Sequence, residues 1–236
     1  RSIIVGVVTL TGLGLKFSSI AIAYAGGSLL LTALYTALIV WIVGLAVPVT
    51  ASYIICAVIA APALIQLGVP NYAAHMFIFY YAVLSEVSPP TALSPFAAAA
   101  ITGGDPYVTT LQSWKYTLPA FVVPFVFVMD PAGIGLLMKI PQGGSWFDVG
   151  YISVTTAIGI FALGAAAQNW LMGRLDIVSR IALIVGGLLM VFSTLMEALY
   201  ELITPWHLVY TDALGLIFIV AVLASQWRRR RAGAVA

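Results

Sequence analysis

Three prolines interrupt stretches that otherwise read as continuous apolar helix, and each removes a hydrogen-bond donor from the main chain. Proline has no N–H, so the carbonyl four residues earlier in a helix loses its partner. Pro48 would release the carbonyl of Gly44, Pro89 that of Ser85, and Pro90 that of Glu86. In hydrocarbon such an acceptor is costly to leave unpaired, and something must satisfy it. Hydroxyls stand nearby at Thr50, Ser52, Ser85, Ser88, Thr91 and Ser94. Together, two interrupted helices could gather a cage of neutral oxygens, which suits a hard monovalent cation. A single kink satisfied by a neighbouring serine or by water is the ordinary outcome for a membrane-helix proline. A Pro-Pro pair among Ser, Glu and Thr, one segment after an uncharged Gly/Pro break, is not ordinary.

Other residues carry less. Glu86 is an ionisable group within membrane-depth sequence; it could carry a proton, line a wet cleft or pair with a lysine. Glu197 and Glu201 are four apart on one helical face, where like charges repel, and they read as a wetted helix end. His75 and His207 have no Cys or carboxylate at ligand spacing, so no metal site is expected. Cys56 is the only cysteine, which excludes an internal disulfide and leaves a small packing residue. An intramembrane enzyme is the contrasting class, since Asp130 sits in a span, yet there is no Gly-x-Ser-x-Gly elbow, and no two acids show the spacing that a membrane aspartyl site needs. No catalytic residue is assigned.

The elements that must position these residues follow from composition. Of 236 residues, 62% are hydrophobic and 8% charged, against roughly 25% charged in soluble domains. With mean hydropathy +1.09, the natural solvent is a bilayer, and cytosolic enzymes and nucleic-acid-binding modules are excluded. From Phe17 to Ser85, 69 consecutive residues lack Asp, Glu, Lys and Arg; one crossing needs about 20 residues. The chain opens at Arg1 inside an apolar run with no initiator Met, and it reads as a fragment of a longer polypeptide.

Ile3 to Leu15 reads as a helix cut at its start, and Lys16 to Gly27 as an interfacial connector. Ser28 to Val43 and Ala51 to Leu67 are apolar and flank the uncharged break Gly44 to Thr50, so residues 28–67 are expected to form a re-entrant hairpin with its tip at membrane depth. A broken helix is expected over about 73–102, interrupted at 86–91, followed by an interfacial helix Tyr107 to Tyr116 and a span over about 118–137. After the loop at Pro141, residues 141–236 read as a three-helix extension: Val149 to Leu171, Ile181 to about Tyr200, and about Leu208 to Gln226. The fold class is therefore an all-α polytopic membrane protein.

Lys/Arg placement sets the expected orientation. Arg174 and Arg180 flank one loop and Arg228 to Arg231 form the tail, two crossings apart and so on one side, the cytoplasm. Lys115 falls inside too. Asp148, Asp212 and the hairpin opening fall outside, with Lys16 and Lys139 as exceptions. The basic tail is expected to meet anionic headgroups.

Discontinuous helices at the midplane are how many secondary transporters build their sites, and here the motifs reach a known family. Gly44-Leu-Ala-Val-Pro48-Val-Thr50-Ala51-Ser-Tyr53, Ala60-Ala-Pro62-Ala63-Leu64, Ser85-Glu-Val-Ser-Pro89-Pro90-Thr-Ala92-Leu93, Gly104-Asp105-Pro106 and Phe125-Val-Phe-Val-Met-Asp130-Pro131-Ala132 closely resemble the fused large permease of tripartite ATP-independent periplasmic (TRAP) transporters, the TAXI-type branch most of all. The resemblance covers residues 1–140 firmly and the extension to 236 more loosely.

It implies a sodium-driven, elevator-type importer of organic anions, such as carboxylates, fed by a periplasmic solute receptor in a bacterial or archaeal cytoplasmic membrane. The family core has two inverted repeats, each with a re-entrant hairpin and a discontinuous helix. Only the second set is found here, so the N-terminal half of the permease would be a missing partner. A non-transporting scaffold or accessory half-permease is the alternative. On matched positions, Gly44, Pro48 and Thr50 would form the hairpin tip, and Ser85, Ser88, Pro89, Pro90 and Thr91 the unwound crossing; both would contribute oxygens to one sodium ion, with Glu86 a possible proton or polar site. The tip departs from the family pattern at Ala46 and Val49.

Overall fold

A computed structural model describes residues 10–193, 196 and 211–233. It is helical throughout, with no strand among the described residues, and divides into two compact units.

The first unit comprises the chain up to Thr117 together with Phe127–Pro131. Its first described helix, α1 (Leu13–Tyr24), occupies most of what sequence suggests is a connector. Its two serines are satisfied by main-chain carbonyls: Ser19 Oγ donates to Lys16 of the same helix, and Ser18 Oγ to Ile59 at 3.1 Å. With its hydroxyls satisfied, the segment needs no aqueous loop. It ends at Gly26 and Gly27, both at positive φ, a conformation that favours glycine.

Helix α2 (Leu29–Ala46) starts on Ser28, whose Oγ accepts from the Leu31 N–H. It stops because the residue before a proline is driven toward extended backbone: Val47 has φ −140 and ψ 154, and Pro48 caps the start of α3 (Val49–Gln66). The break is thus Val47 and Pro48 alone, narrower than the expected Gly44–Thr50. At 1.5 Å per residue, each of these 18-residue helices is about 27 Å long. Each is apolar and long enough to cross a membrane.

Helix α2 is built inside out relative to a soluble protein. Leu30, Leu34, Leu38 and Ile42 are exposed, while Thr32, Ala33, Thr36, Ala37 and Val40 are buried. Small and hydroxylated residues let membrane helices approach closely, whereas large apolar ones are at home in lipid. The facing surface of α3 continues the pattern with Ser52, Cys56, Ala57, Ala60 and Ala61 buried. Helix α4 (Asn71–Leu84) packs on both α2 and α3. It runs into a 3₁₀ turn, Ser85–Val87, then an irregular stretch containing a cis Pro89–Pro90 peptide, before α5 (Leu93–Thr102) and α6 (Pro106–Thr117). Asp105 caps α6 by accepting from the Val108 N–H at 2.8 Å.

The second unit comprises Leu118–Val126 and Ala132 onward. The segment 118–137, expected as one span, is instead a 3₁₀ turn (Leu118–Phe121), a short α7 (Val123–Met129) and another 3₁₀ stretch (Pro131–Leu137). Pro119, Pro124 and Pro131 each lack the N–H that an unbroken helix requires. Helix α8 (Trp146–Gln168) begins with a reciprocal capping box between Ser145 and Asp148, which satisfies two otherwise orphaned N–H groups. Helices α9 (Ile177–Val191) and α10 (Thr211–Gly233) follow. The arginine tail is therefore the last two turns of α10.

These three helices pack through glycines. A Cβ added to Gly159 would meet the Gly187 carbonyl at 2.8 Å, and one on Gly186 the Gly215 carbonyl at 2.9 Å. Backbone meets backbone at both crossings. Tyr151 donates a hydrogen bond to Asp212, joining the second turn of α8 to the first of α10. The acids Asp148 and Asp212 thus share one end of the bundle, with the arginines at the other.

Candidate ion and substrate site

The α2–α3 break and the α4–α5 interruption, 40 residues apart in sequence, come together in the first unit. Gly44, in the last turn of α2, lies against Ser85: a Cβ at position 44 would sit 2.3 Å from Ser85 Oγ and 3.4 Å from Ser52 Oγ. A second contact lies just beyond, where Thr91 Oγ1 donates to the Leu45 carbonyl at 2.5 Å. Between them is a cavity of about 180 Å³ lined by Gly44 to Pro48, Ser85, Glu86, Thr91 and Leu93.

Of the sequence-derived candidates, Gly44, Pro48, Ser85, Glu86 and Thr91 line this cavity. Thr50, Ser88, Pro89 and Pro90 do not: Thr50 and Pro90 are exposed, Pro89 is half-buried, and Ser88 is fully buried with its hydroxyl donating to the Leu84 carbonyl at 2.7 Å. Leu45 and Leu93 belong to the lining but carry no chemical signal in sequence. Leu45 contributes only a main-chain carbonyl, and any residue type could do that.

Counting four residues back from each proline also needs revision. The Ser85 carbonyl accepts from the Ser88 N–H at 3.2 Å, because the chain tightens into a 3₁₀ turn whose hydrogen bonds span three residues. Thr91 meanwhile satisfies Leu45, one position beyond the expected Gly44. The break is a change of helix rather than a kink within one, so the acceptors are redistributed.

The hydroxyls themselves are oriented by donation. Ser85 Oγ donates to the Ala82 carbonyl at 2.7 Å, Thr91 Oγ1 to Leu45, and Ser52 Oγ to Val40 at 3.5 Å. A hydroxyl has one proton and two lone pairs. Once the proton is committed to a carbonyl, the oxygen can only accept, or coordinate a cation. Ser85 and Thr91 thus present lone pairs beside a half-buried carboxylate, Glu86. Oxygen-only donors of this kind fit a hard cation. Among the described residues no three His, Cys, Asp or Glu side chains converge.

His75, isolated in sequence, is engaged away from the cavity lining: its Nδ1 lies 3.1 Å from the Tyr53 hydroxyl, and Tyr53 also meets Phe79 edge-on. Glu197, Glu201 and His207 lie outside the described residues.

Apolar helices with lipid-type surfaces, two of them joined at an uncharged break and facing an interrupted helix, define an all-α polytopic membrane protein. Residues 1–140 match the family of the DctM component of tripartite ATP-independent periplasmic transporters, and the chain belongs to that family. Membership makes it a multi-pass inner-membrane protein of the TRAP permease type, concerned with solute transport; the family as such implies a periplasmic substrate-binding partner and is one of transporters rather than enzymes. Neither curated proteins nor solved structures provide a match.

Proposed function

We propose that this chain is the second-repeat part of a sodium-coupled importer of an organic anion, most simply a carboxylate, delivered by a TAXI-type periplasmic receptor. Residues 1–140 form the transport region, with 28–67 as a re-entrant hairpin and 73–102 as the discontinuous helix; 141–236 form the membrane extension. The observation that carries this reading is the convergence of both interruptions on one cavity, with Gly44 against Ser85 and Thr91 bonded to Leu45.

Sodium is a substrate of this process and would be held by oxygens of the hairpin tip (Gly44, Pro48) and of the unwound crossing (Ser85, Thr91) that line the cavity, while Thr50, Ser88, Pro89 and Pro90 would shape the two breaks from outside it. Main-chain carbonyls at such breaks are partly relieved of helical partners, which favours coordination of a small cation. The orientation that fits Lys/Arg placement puts the C-terminus in the cytoplasm and opens the hairpin outward.

The test is uptake by the complete permease in liposomes, with its receptor, with and without a sodium gradient. Sodium-dependent uptake that is lost in Pro89→Ala/Pro90→Ala supports the reading; unchanged uptake and cation stoichiometry in that variant refute the site. Because Glu86 lines the same cavity, a proton is the second candidate for the coupling ion. Uptake indifferent to sodium but abolished by Glu86→Gln would favour it.

A further inference from the structure

The basic end of the second unit is more organised than a charged tail. Gln226 Nε2 of α10 donates to the Arg174 carbonyl at 3.4 Å, and Arg229 Nη1 lies 3.0 Å from Asp176 Oδ1, so the α8–α9 turn is fastened to the last turns of α10. A further strut fixes the turn itself: Arg180 Nε donates to the Ala166 carbonyl at 2.9 Å. Residues three and four apart share a helix face, so Gln226, Arg229 and Arg230 look toward this turn while Arg228 points to the other side of α10. Arg231 is taken up over the Trp227 ring at 3.7 Å.

Arg174 and Arg230 are exposed. The acid beside them, Asp176, is already engaged by Arg229 and Ser179. Immediately next to this positive corner the surface turns apolar: Ile177 and Val178 are 68% and 70% exposed, and Ile181, one turn on, 54%. Trp170 and Trp227 flank it, each about half exposed, as tryptophans do at the headgroup level of a bilayer.

We propose that the α8–α9 turn and the last turns of α10 form a site for an anionic phospholipid, its phosphate held between Arg174 and Arg230 and its acyl chains lying against Ile177, Val178 and Ile181. Arginine suits this because its planar fork can grip two phosphate oxygens at once. The Arg229 guanidinium, 3.0 Å from Asp176, offsets the charge that would otherwise repel the headgroup. A diffuse polybasic tail would use all four tail arginines alike; a built site uses Arg230 with Arg174 and leaves Arg228 out.

Native mass spectrometry of the purified chain, equilibrated with equimolar phosphatidylglycerol and phosphatidylcholine in nonionic detergent, tests this directly. The wild-type chain should retain phosphatidylglycerol in preference, and R174Q/R230Q should lower that preference about fivefold per arginine lost. R228Q should leave it within about twofold, and R174K/R230K should keep part of it. Glycerol phosphate in excess should not displace the lipid. Equal retention of the two lipids by the wild-type chain overturns the proposal without reliance on any variant. R228Q as damaging as R174Q/R230Q would reduce the site to a diffuse tail, and displacement by glycerol phosphate would make it a free-phosphate site.

Discussion

Ser85 occupies the space that a side chain at position 44 would need: a Cβ on Gly44 falls 2.3 Å from Ser85 Oγ and 2.7 Å from Ser85 Cβ. Ser85 is itself 1% exposed and tied to Ala82, so it has nowhere to retreat. Glycine at 44 is therefore what lets the hairpin break approach the interrupted helix.

Gly44→Ala should consequently force the two breaks apart. Overpacking of this kind typically costs about 1–3 kcal/mol, and thermal unfolding in detergent should show a lower midpoint. Adding Ser85→Gly removes both clashing atoms and should restore most of the loss. If Gly44→Ala melts like wild type, the close approach is not present in the folded protein.

Thr91→Val keeps the shape but deletes the donor to the Leu45 carbonyl. Leaving a partly buried acceptor unpaired costs about 1–3 kcal/mol, whereas Thr91→Ser retains the hydroxyl and should behave nearly as wild type. Hydrogen exchange of the amides at the start of α3, just past the break, should be faster in Thr91→Val alone.

Two glycines of α8 should respond in opposite directions to alanine. Gly159→Ala places a methyl 2.8 Å from the Gly187 carbonyl and 2.6 Å from Val191 Cγ2, and since the former is rigid backbone the α8–α9 crossing should loosen, again by about 1–3 kcal/mol. Gly150→Ala meets nothing within 4 Å and should raise stability by about 0.5–1 kcal/mol through helix propensity. Thermal melting of both variants side by side checks the contrast.

Acid should weaken the α8–α9 corner through Asp176. The Ser179 hydroxyl, and then its N–H and the Arg229 guanidinium, hold this carboxyl below the ordinary carboxylate value. A group whose pKa is lower in the folded state contributes stability above its unfolded value and loses it as pH falls through the folded one. The wild-type melting midpoint should drop below about pH 4, and Asp176→Asn, which still caps α9, should flatten that drop. Parallel curves for the two proteins between pH 5 and 3 would exclude Asp176 as the source.

Much of this protein could be read before folding. The charge-free run from Phe17 to Ser85 dictates a membrane protein because no aqueous loop lacks charge for so long. Ser28, Pro48 and Gly68 mark helix ends for local reasons of capping, missing N–H and backbone freedom, and the helices 29–46 and 49–66 fall close to those marks. Pro89, Pro90 and their hydroxyl neighbours identify an interrupted helix by the same local chemistry. Where reading along the chain fails, the cause is a distant partner. Lys16 to Tyr24 is helical and packed on the helix 49–66, with Ser18 bonded to Ile59, and three prolines divide the expected span at 118–137, where apolar composition alone suggested continuity.

What only the tertiary structure decided is which oxygens meet. That Thr91 satisfies Leu45, that Ser85 is pressed on Gly44, and that Thr50 and Ser88 stay out of the cavity all depend on how helices 40 residues apart cross. Local sequence determines where a main-chain acceptor loses its donor, because that follows from bonds to residues three or four away. Which group replaces the donor depends on packing, since the replacement comes from whatever the close approach of small side chains brings within hydrogen-bonding distance.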